Sequence, residues 1–213
     1  MEFEDRLGQA ISESIYLSRL LSENKDQERF LVALSDAKID FVLVGGMAVG
    51  VWTGRPRATI DVDVIVVASQ YDAAVKVIQA KFPELEMRDR DAITRFVVPG
   101  EPDKKSKLDL MKPKHGITAA ALKNVIQTTV GGVSVKVPDL ETFLGLKYAS
   151  MIGIHRERED KAQDLVDFVY MVKNNKQIDM DKLEKLGQLV HPGGGKEIVK
   201  YVDDMRHDRP ITI

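Results

Sequence analysis

The stretch FVLVGGMAVGVWTGRPRATIDVDVIVV, residues 41–67, contains two features that a plain hydrophobic core does not require. Adjacent glycines, Gly45 and Gly46, directly follow a short run of β-formers. Two carboxylates, Asp61 and Asp63, stand inside a second apolar run. Because a buried carboxylate is costly unless it is paired or binds a metal, the second run calls for a chemical explanation.

Asp61 and Asp63 are predicted to share one face of a strand. Side chains alternate between the two faces, so the intervening Val62 and the following Val64 point the other way, toward the core. Two carboxylates this close repel each other and raise each other's pKa unless a cation lies between them. Mg²⁺ suits such a pair, because it accepts one or two carboxylates and takes its other ligands from water and phosphate. A solvent-exposed strand end is the alternative interpretation of Asp-x-Asp.

Two further features favour the metal site. Asp109 lies between Leu108 and Leu110, which repeats the geometry of the first pair on another predicted strand. The Gly45-Gly46 turn stands between a strand and a short helix, where glycine allows close approach and helix amides can bind phosphate. Three carboxylates beside a phosphate-binding turn are typical of phosphoryl or nucleotidyl transfer.

The composition is that of a soluble protein with a sizeable core. The 213 residues are 44% hydrophobic and 30% charged, with a formal net charge of −2, which argues against a strongly basic DNA-coating protein. There is no cysteine, so disulfides and thiolate metal sites are excluded. The acidic start does not resemble a secretory signal, and no apolar run approaches the roughly 20 residues of a membrane span. A cytoplasmic location is expected.

Hydrophobic periodicity predicts an α/β (α+β) fold, in which a mixed β-sheet is flanked by helices. Helices are predicted at residues 5–36, 47–52, 71–81, 139–152, 158–173, 179–190 and 197–205. Strands are predicted at 40–45, 60–67, 93–98, 107–111, 127–130 and 133–137. Gly131-Gly132 predicts a hairpin turn, and Asp139 is the predicted N-cap of its helix. We expect an N-terminal helical segment (1–37), a catalytic core (38–137) and a C-terminal helical region (138–213).

The order Gly-Gly, a short spacer, Asp-x-Asp and a later carboxylate resembles the signature of the polymerase-β-like nucleotidyltransferase superfamily. Gly45, Gly46, Asp61, Asp63 and Asp109 supply those parts here. The resemblance implies a nucleotidyltransferase-like sheet with Asp61, Asp63 and Asp109 as catalytic residues that bind two Mg²⁺ ions. It also implies a nucleoside triphosphate (NTP) as substrate.

The sequence is especially similar to those of the branch that contains the AbiEii-type toxin and related small nucleotidyltransferases. That branch carries Arg-x-Thr before Asp-x-Asp, matched by Arg57 and Thr59, and a Leu-Lys-x-x-Ala helix, matched at Lys147. It also carries Asp-Leu-x-Asp after a basic residue, matched at Asp164, with Lys161 as the nearest basic residue. The resemblance implies nucleotide binding by Gly45, Gly46, Arg57, Thr59 and Lys147, with Lys161 and Asp164 as further candidates.

Two positions depart from the pattern. Gly46 stands where many superfamily members have serine, and Gln163 stands where the branch often has Lys or Arg. These departures motivate an alternative, a nucleotide-binding module of the same fold without catalysis. A sugar-nucleotide glycosyltransferase also uses Asp-x-Asp, but its nucleotide-binding domain is normally larger than this chain provides.

The expected function is therefore Mg²⁺-dependent transfer of a nucleoside monophosphate from an NTP to a hydroxyl acceptor. The acceptor could be RNA, a protein or a small molecule such as an antibiotic. Similarity to the toxin branch implies a possible toxin–antitoxin role with an antitoxin partner, and no membrane partner is expected. Asp109 is the candidate general base.

Other patterns have ordinary interpretations. The charge run HREREDK at residues 155–161 reads as a solvated helix face, and glycines 193–195 as a connector. Asp164 and Asp167 could position Lys147 or could be exposed helix residues. Trp52 and Phe41 are predicted to be core side chains.

Overall fold

The computed structural model describes residues 3–21, 27–53, 55–114, 116–130, 132–154 and 156–211. The strands are β1 (Phe41–Val44), β2 (Val62–Val66), β3 (Glu86–Asp89), β4 (Ile93–Val97), β5 (Leu108–Met111), β6 (Val125–Val130) and β7 (Val133–Pro138). The helices are α1 (Phe3–Leu21), α2 (Gln27–Asp36), α3 (Gly45–Thr53), α4 (Tyr71–Lys81), α5 (Gly116–Ala121), α6 (Leu140–Ile152), α7 (Arg158–Asn174), α8 (Met180–Gln188) and α9 (Gly194–Arg206). Residues 22–26 of the first predicted helix, and Gly131 of the predicted hairpin turn, lie outside the described residues.

The seven strands form one mixed sheet in the order β3-β4-β5-β2-β1-β7-β6. β2 lies near its centre, antiparallel to β1 and parallel to β5. Its Val62, Val64 and Ile65 are fully buried, as the continuous apolar run predicts for a central strand. The expectation of a mixed α/β sheet with flanking helices is confirmed.

Two short elements were missed by the sequence analysis. β3 is an edge strand of four largely exposed residues, so it carries no apolar alternation by which it could be recognised. α5 has only six residues, which is too short for a helical period to stand out. Both elements depend on tertiary packing more than on local sequence.

The interpretation of glycines 193–195 as a connector is wrong for the last two. Gly194 and Gly195 open α9, and only Gly193 precedes it, with a φ of +91°. A Cβ at position 195 would lie 2.4 Å from the carbonyl oxygen of Glu184, and one at position 194 would lie 2.5 Å from that of Gly187. These glycines are therefore required by the close contact between α8 and α9.

Helix α6 is fixed at its start and near its end, which holds Lys147 in place. Asp139 is the N-cap, as predicted, and its carboxylate accepts a hydrogen bond from the Thr142 amide at 3.1 Å. Tyr148, which is fully buried, donates its hydroxyl hydrogen to Glu197 on α9 over 2.8 Å. One continuous cluster of buried apolar side chains runs from α1 through the sheet to α9.

Trp52 and Phe41 are core residues, as predicted, with 7% and 5% of their surface exposed. Trp52 also donates its indole N–H to the Pro138 carbonyl at 3.1 Å, which ties α3 to the end of β7. No helix of the described part of the chain is both long enough and apolar enough to cross a membrane.

Candidate active site

Three carboxylates converge at the centre of the sheet. Asp63 on β2 pairs in register with Asp109 on β5, and Asp61 directly precedes β2. Each of the three residues offers one carboxylate oxygen, and these oxygens all lie within 4.8 Å of one another. The register explains the convergence, because paired residues on neighbouring strands point to the same face.

Burial and mutual repulsion disfavour ionisation of two of these carboxylates. Burial raises the pKa of Asp63 well above its ordinary value, and the charges of Asp61 and Asp109 raise it further, against the lowering effect of Lys147 and Arg156. Burial also raises the pKa of Asp109 to about 6, opposed by a hydrogen bond from Ser106. The three carboxylates therefore repel one another when ionised, and a bound cation would reduce that repulsion.

The donor set fits a hard divalent cation. The Oδ1 atom of Asp109 is buried and has no hydrogen-bond partner within the part of the chain that is described. An unsatisfied buried carboxylate oxygen is costly, and here it belongs to a group of three carboxylates with oxygens less than 5 Å apart. Oxygen-only ligands of this kind are those that Mg²⁺ prefers.

The glycine turn packs directly against the carboxylates. Gly45 is the first residue of α3 and has a φ of +67°, which favours glycine. A Cβ at this position would lie 1.8 Å from Oδ2 of Asp63 and 2.8 Å from its Cβ. The start of α3 therefore lies directly against Asp63.

Arg57 and Thr59 make intramolecular contacts at this site. The Thr59 hydroxyl donates to Oδ1 of Asp61 at 2.6 Å, so it orients a carboxylate of the cluster. Arg57 donates Nη1–H to Oδ2 of Asp167 at 2.6 Å, while 31% of its side chain remains exposed. The region between α3 and β2 is thus tied to both the acidic cluster and α7.

Lys147 is buried and held by two carboxylates of α7. Its Nζ lies 2.8 Å from Asp164 Oδ1 and 2.7 Å from Asp167 Oδ2, and all three side chains are less than a tenth exposed. The interpretation of Asp164 and Asp167 as exposed helix residues is wrong, and the alternative that they position Lys147 is confirmed. Their i, i+3 spacing on one helix face is the sequence signal for this arrangement.

Arg156 contacts the site, although its charge run was interpreted as a solvated helix face. Its Nε–H donates to Oδ2 of Asp164 at 2.6 Å, and its charge lowers the pKa of Asp63. Arg156 is exposed, as that interpretation predicts, and so is Arg158, but Arg156 also pairs with the buried Asp164 carboxylate. His155 of the same run lies outside the described residues. Within the described ranges, no side-chain hydrogen bond or ion pair joins Lys161 to another residue.

A family model described as nucleotidyl transferase AbiEii toxin, type IV toxin–antitoxin system, matches residues 29–197, which is most of the chain. The chain belongs to the AbiEii nucleotidyltransferase family. Membership establishes the nucleotidyltransferase class and removes the glycosyltransferase alternative. Among curated protein sequences, none matches this chain significantly.

One solved structure shares the fold of this AbiEii family member, and two others are similar at lower TM-scores. The solution structure of the antibiotic-resistance factor ANT(2'')-Ia has 11% identity and a TM-score of 0.51, and the match covers 85% of this chain and 95% of that one. An antigenic nucleotidyltransferase-like protein from Paracoccidioides brasiliensis has 19% identity and a TM-score of 0.48, covering 88% and 92%. Terminal uridylyl transferase 4 from Trypanosoma brucei has 12% identity and a TM-score of 0.38, covering 92% and 72%.

The two departures of this AbiEii chain from the common pattern have local explanations. A Cβ at position 46 would lie 3.2 Å from both Cβ and Oγ1 of Thr59, so a serine there would press on the residue that orients Asp61. Gln163 donates its amide to Oδ1 of Asp167 at 3.2 Å, so it joins the carboxylates that hold Lys147. Both residues therefore fit the contacts around Asp61 and Lys147.

Replacing Asp109 by asparagine is expected to stabilise the metal-free protein near neutral pH. The pKa of Asp109 is about 6 in the folded protein against an ordinary 3.8, so folding is favoured by its protonated form. This stability is present below about pH 4 and is lost as the pH rises through about 6, a change of roughly 3 kcal/mol. Because asparagine does not ionise, Asp109→Asn should keep this folding stability at high pH.

The measurement is thermal unfolding in EDTA at two pH values. At about pH 7.5 the midpoint of Asp109→Asn should exceed that of the parent by roughly 6–12 °C, and at about pH 4 the two should nearly coincide. A lower midpoint for Asp109→Asn at the higher pH would show that Asp109 stabilises the fold as a carboxylate, contrary to the expectation.

Proposed function

We propose that this AbiEii family member is a Mg²⁺-dependent enzyme that transfers a nucleoside monophosphate from an NTP to a hydroxyl acceptor. The observation that carries the proposal is the convergence of Asp61, Asp63 and Asp109, with carboxylate oxygens within 4.8 Å of one another. The packing of the glycine turn at Gly45 against Asp63 supports phosphate binding at the start of α3, beside the carboxylates.

The acidic cluster would hold the metal ions. Asp61 and Asp63 would bind both ions, and Asp109 would complete the site of one of them. When bound, Mg²⁺ neutralises the charge that develops on the transferred phosphate and its leaving group. The Thr59 hydroxyl would keep Asp61 oriented through its 2.6 Å hydrogen bond.

Lys147, Arg57 and Arg156 would form the cationic side of the triphosphate site. Within this network three cations face two carboxylates, Asp164 and Asp167, which leaves one positive charge. Because Lys147 is buried, the partly exposed guanidinium groups of Arg57 and Arg156 are the groups that a phosphate can reach. The amides of Gly45 and Gly46 would bind the β- and γ-phosphates.

The reaction breaks one bond and forms one. The acceptor oxygen attacks the α-phosphorus, the bond from that phosphorus to the bridging oxygen breaks, and pyrophosphate leaves. Asp109 would accept the proton of the acceptor hydroxyl, for which its pKa of about 6 in the ion-free protein leaves it ionised near neutral pH.

The biological setting is also part of the proposal. Family membership supports the toxin of a type IV toxin–antitoxin pair, acting in the cytoplasm with an antitoxin as counterpart. RNA, a protein hydroxyl and a small molecule remain the candidate acceptors. We further propose that residues 38–137 form the catalytic core, flanked by the helical segments 1–37 and 138–213.

A transfer screen tests this function. Each of the four α-labelled NTPs is incubated with the protein and Mg²⁺, together with total RNA, total protein or an aminoglycoside. We expect Mg²⁺-dependent label on one acceptor class, and none with the Asp63→Asn variant. Calorimetric titration with the same NTPs separates the alternative, because binding without transfer to any acceptor would favour the non-catalytic module.

A further inference from the structure

A row of charged side chains crosses the sheet on the face that carries the acidic cluster. Asp63 on β2 pairs with Asp109 on β5, and Asp109 pairs with Arg95 on β4. Arg95 in turn pairs with Arg88 on β3. Neighbouring strands are about 4.8 Å apart, so these four side chains stand side by side on one face.

The two oxygens of Asp109 have different surroundings. Oδ1 is buried without a hydrogen-bond partner among the described residues, whereas Oδ2 lies 3.4 Å from the Nε of Arg95. The carboxylate also accepts a hydrogen bond from Ser106, so Arg95 shares the task of orienting it. A carboxylate can rotate about its bond to Cβ, so a donor that binds one oxygen also sets the direction of the other. Partners of metal-binding carboxylates commonly act in this way.

Arg95 is itself held from the other side. Its Nη1 lies 3.4 Å from Oδ2 of Asp103, in the loop that joins β4 to β5. Asp103 is held mainly by Arg88 at 2.9 Å, because the pair with the exposed Arg90, at 3.2 Å, is screened by solvent. The guanidinium of Arg95 therefore bridges a well-anchored loop carboxylate and Asp109.

We propose that Arg95, held by Asp103, is a positioning residue that fixes the Asp109 carboxylate with Oδ1 available to the cation site. The consequence for catalysis rests on the proposed function, but the orientation of Asp109 does not. Lysine at this position would keep the charge but lose the planar fork that reaches two carboxylates at once. Orientation and charge can therefore be separated by substitution.

The experiment compares Arg95→Lys with Arg90→Lys. Arg90 is the matched control because, like Arg95, it makes a long contact with Asp103 Oδ2. Arg90 contacts Asp103 and is exposed, and within the described residues it makes no side-chain hydrogen bond or ion pair with Asp109. The probe is Mn²⁺ alone, without nucleotide, and the free ion is counted by its electron paramagnetic resonance signal. We expect Arg95→Lys to weaken Mn²⁺ binding by about 10-fold or more, and Arg90→Lys to leave it unchanged.

A second variant, Arg95→Gln, removes the charge. If Arg95 acted only through its charge, Arg95→Gln would bind Mn²⁺ more tightly than the parent and Arg95→Lys would match it; either result overturns the proposal. Equal weakening in Arg95→Lys and Arg90→Lys would also overturn it, since the effect would then belong to the loop. We expect Arg95→Gln also to bind Mn²⁺ more weakly than the parent, and thermal unfolding checks that each variant is folded.

Transfer assays distinguish this inference from the function on which it depends. With the acceptor found in the screen, Arg95→Lys should lower kcat about 10- to 100-fold while the KM for NTP changes little. If the parent protein binds Mn²⁺ but transfers nothing, the proposed function fails and the Mn²⁺ comparison still decides the role of Arg95. If the parent transfers and Arg95→Lys matches it in both assays, only the role of Arg95 fails.

Discussion

Replacing Asp63 by asparagine is expected to lower nucleotide transfer by at least about 10³-fold, because charge stabilisation by the bound metal contributes several kcal/mol. Asp63 lies between the other two carboxylates, since Asp61 precedes it by two residues and Asp109 pairs with it across the strands. An amide of the same shape keeps the packing against Gly45 but cannot carry the negative charge. The measurement is transfer from labelled NTP to the acceptor found in the screen.

The controls separate a lost site from a lost fold. Burial and two neighbouring carboxylates hold the pKa of Asp63 well above its ordinary value, so Asp63→Asn should be at least as stable as the parent in EDTA near neutral pH. Asp72→Asn, in an exposed position on α4, removes the same charge elsewhere and should retain full transfer. Retained transfer in a folded Asp63→Asn protein would mean that the acidic cluster is not the catalytic centre.

The parts of the site that depend on local rules could be predicted from the sequence. Strand alternation predicts that Asp61 and Asp63 face one way and Val62 the other, and the burial of Val62 agrees with this. The Gly45-Gly46 turn was recognised because it stands between an apolar run and a helix. A family signature then joined these local features to Asp109, which periodicity alone could not have placed.

The residues that were missed depend on long-range pairing. Arg95 is 14 residues from Asp109 in sequence, and only the register of β4 against β5 brings them opposite each other. Alternation along a predicted strand fixes which face a side chain occupies, but not which residue of another strand it meets. The contact of Arg156 with Asp164 was not predicted for a related reason, because a mixed charge run has the same composition whether it faces solvent or a buried carboxylate.

Gly45→Ala is expected to be the most damaging change that leaves every charged residue in place. The added Cβ would lie 1.8 Å from Oδ2 of Asp63, 2.6 Å from its Cγ and 2.8 Å from its Cβ. Rotating the Asp63 side chain would move its oxygen but not its Cβ, so β2 or the start of α3 has to shift. A displacement of about 1 Å at a catalytic group can cost about 10²-fold in rate, and we expect at least that loss of transfer.

Gly132→Ala is the matched control for this change. Gly132, in the β6–β7 hairpin, has a φ of +81° against +67° for Gly45, and a Cβ there would meet no atom within 4 Å. Gly132→Ala should therefore lose only the roughly 1–2 kcal/mol of the left-handed backbone, and Gly45→Ala should lose more because of its added clash, both measured by denaturant unfolding. Only Gly45→Ala should also lose transfer and Mn²⁺ binding. If both variants kept full transfer, or lost it equally, the close contact of the glycine turn with Asp63 would have no part in building the site.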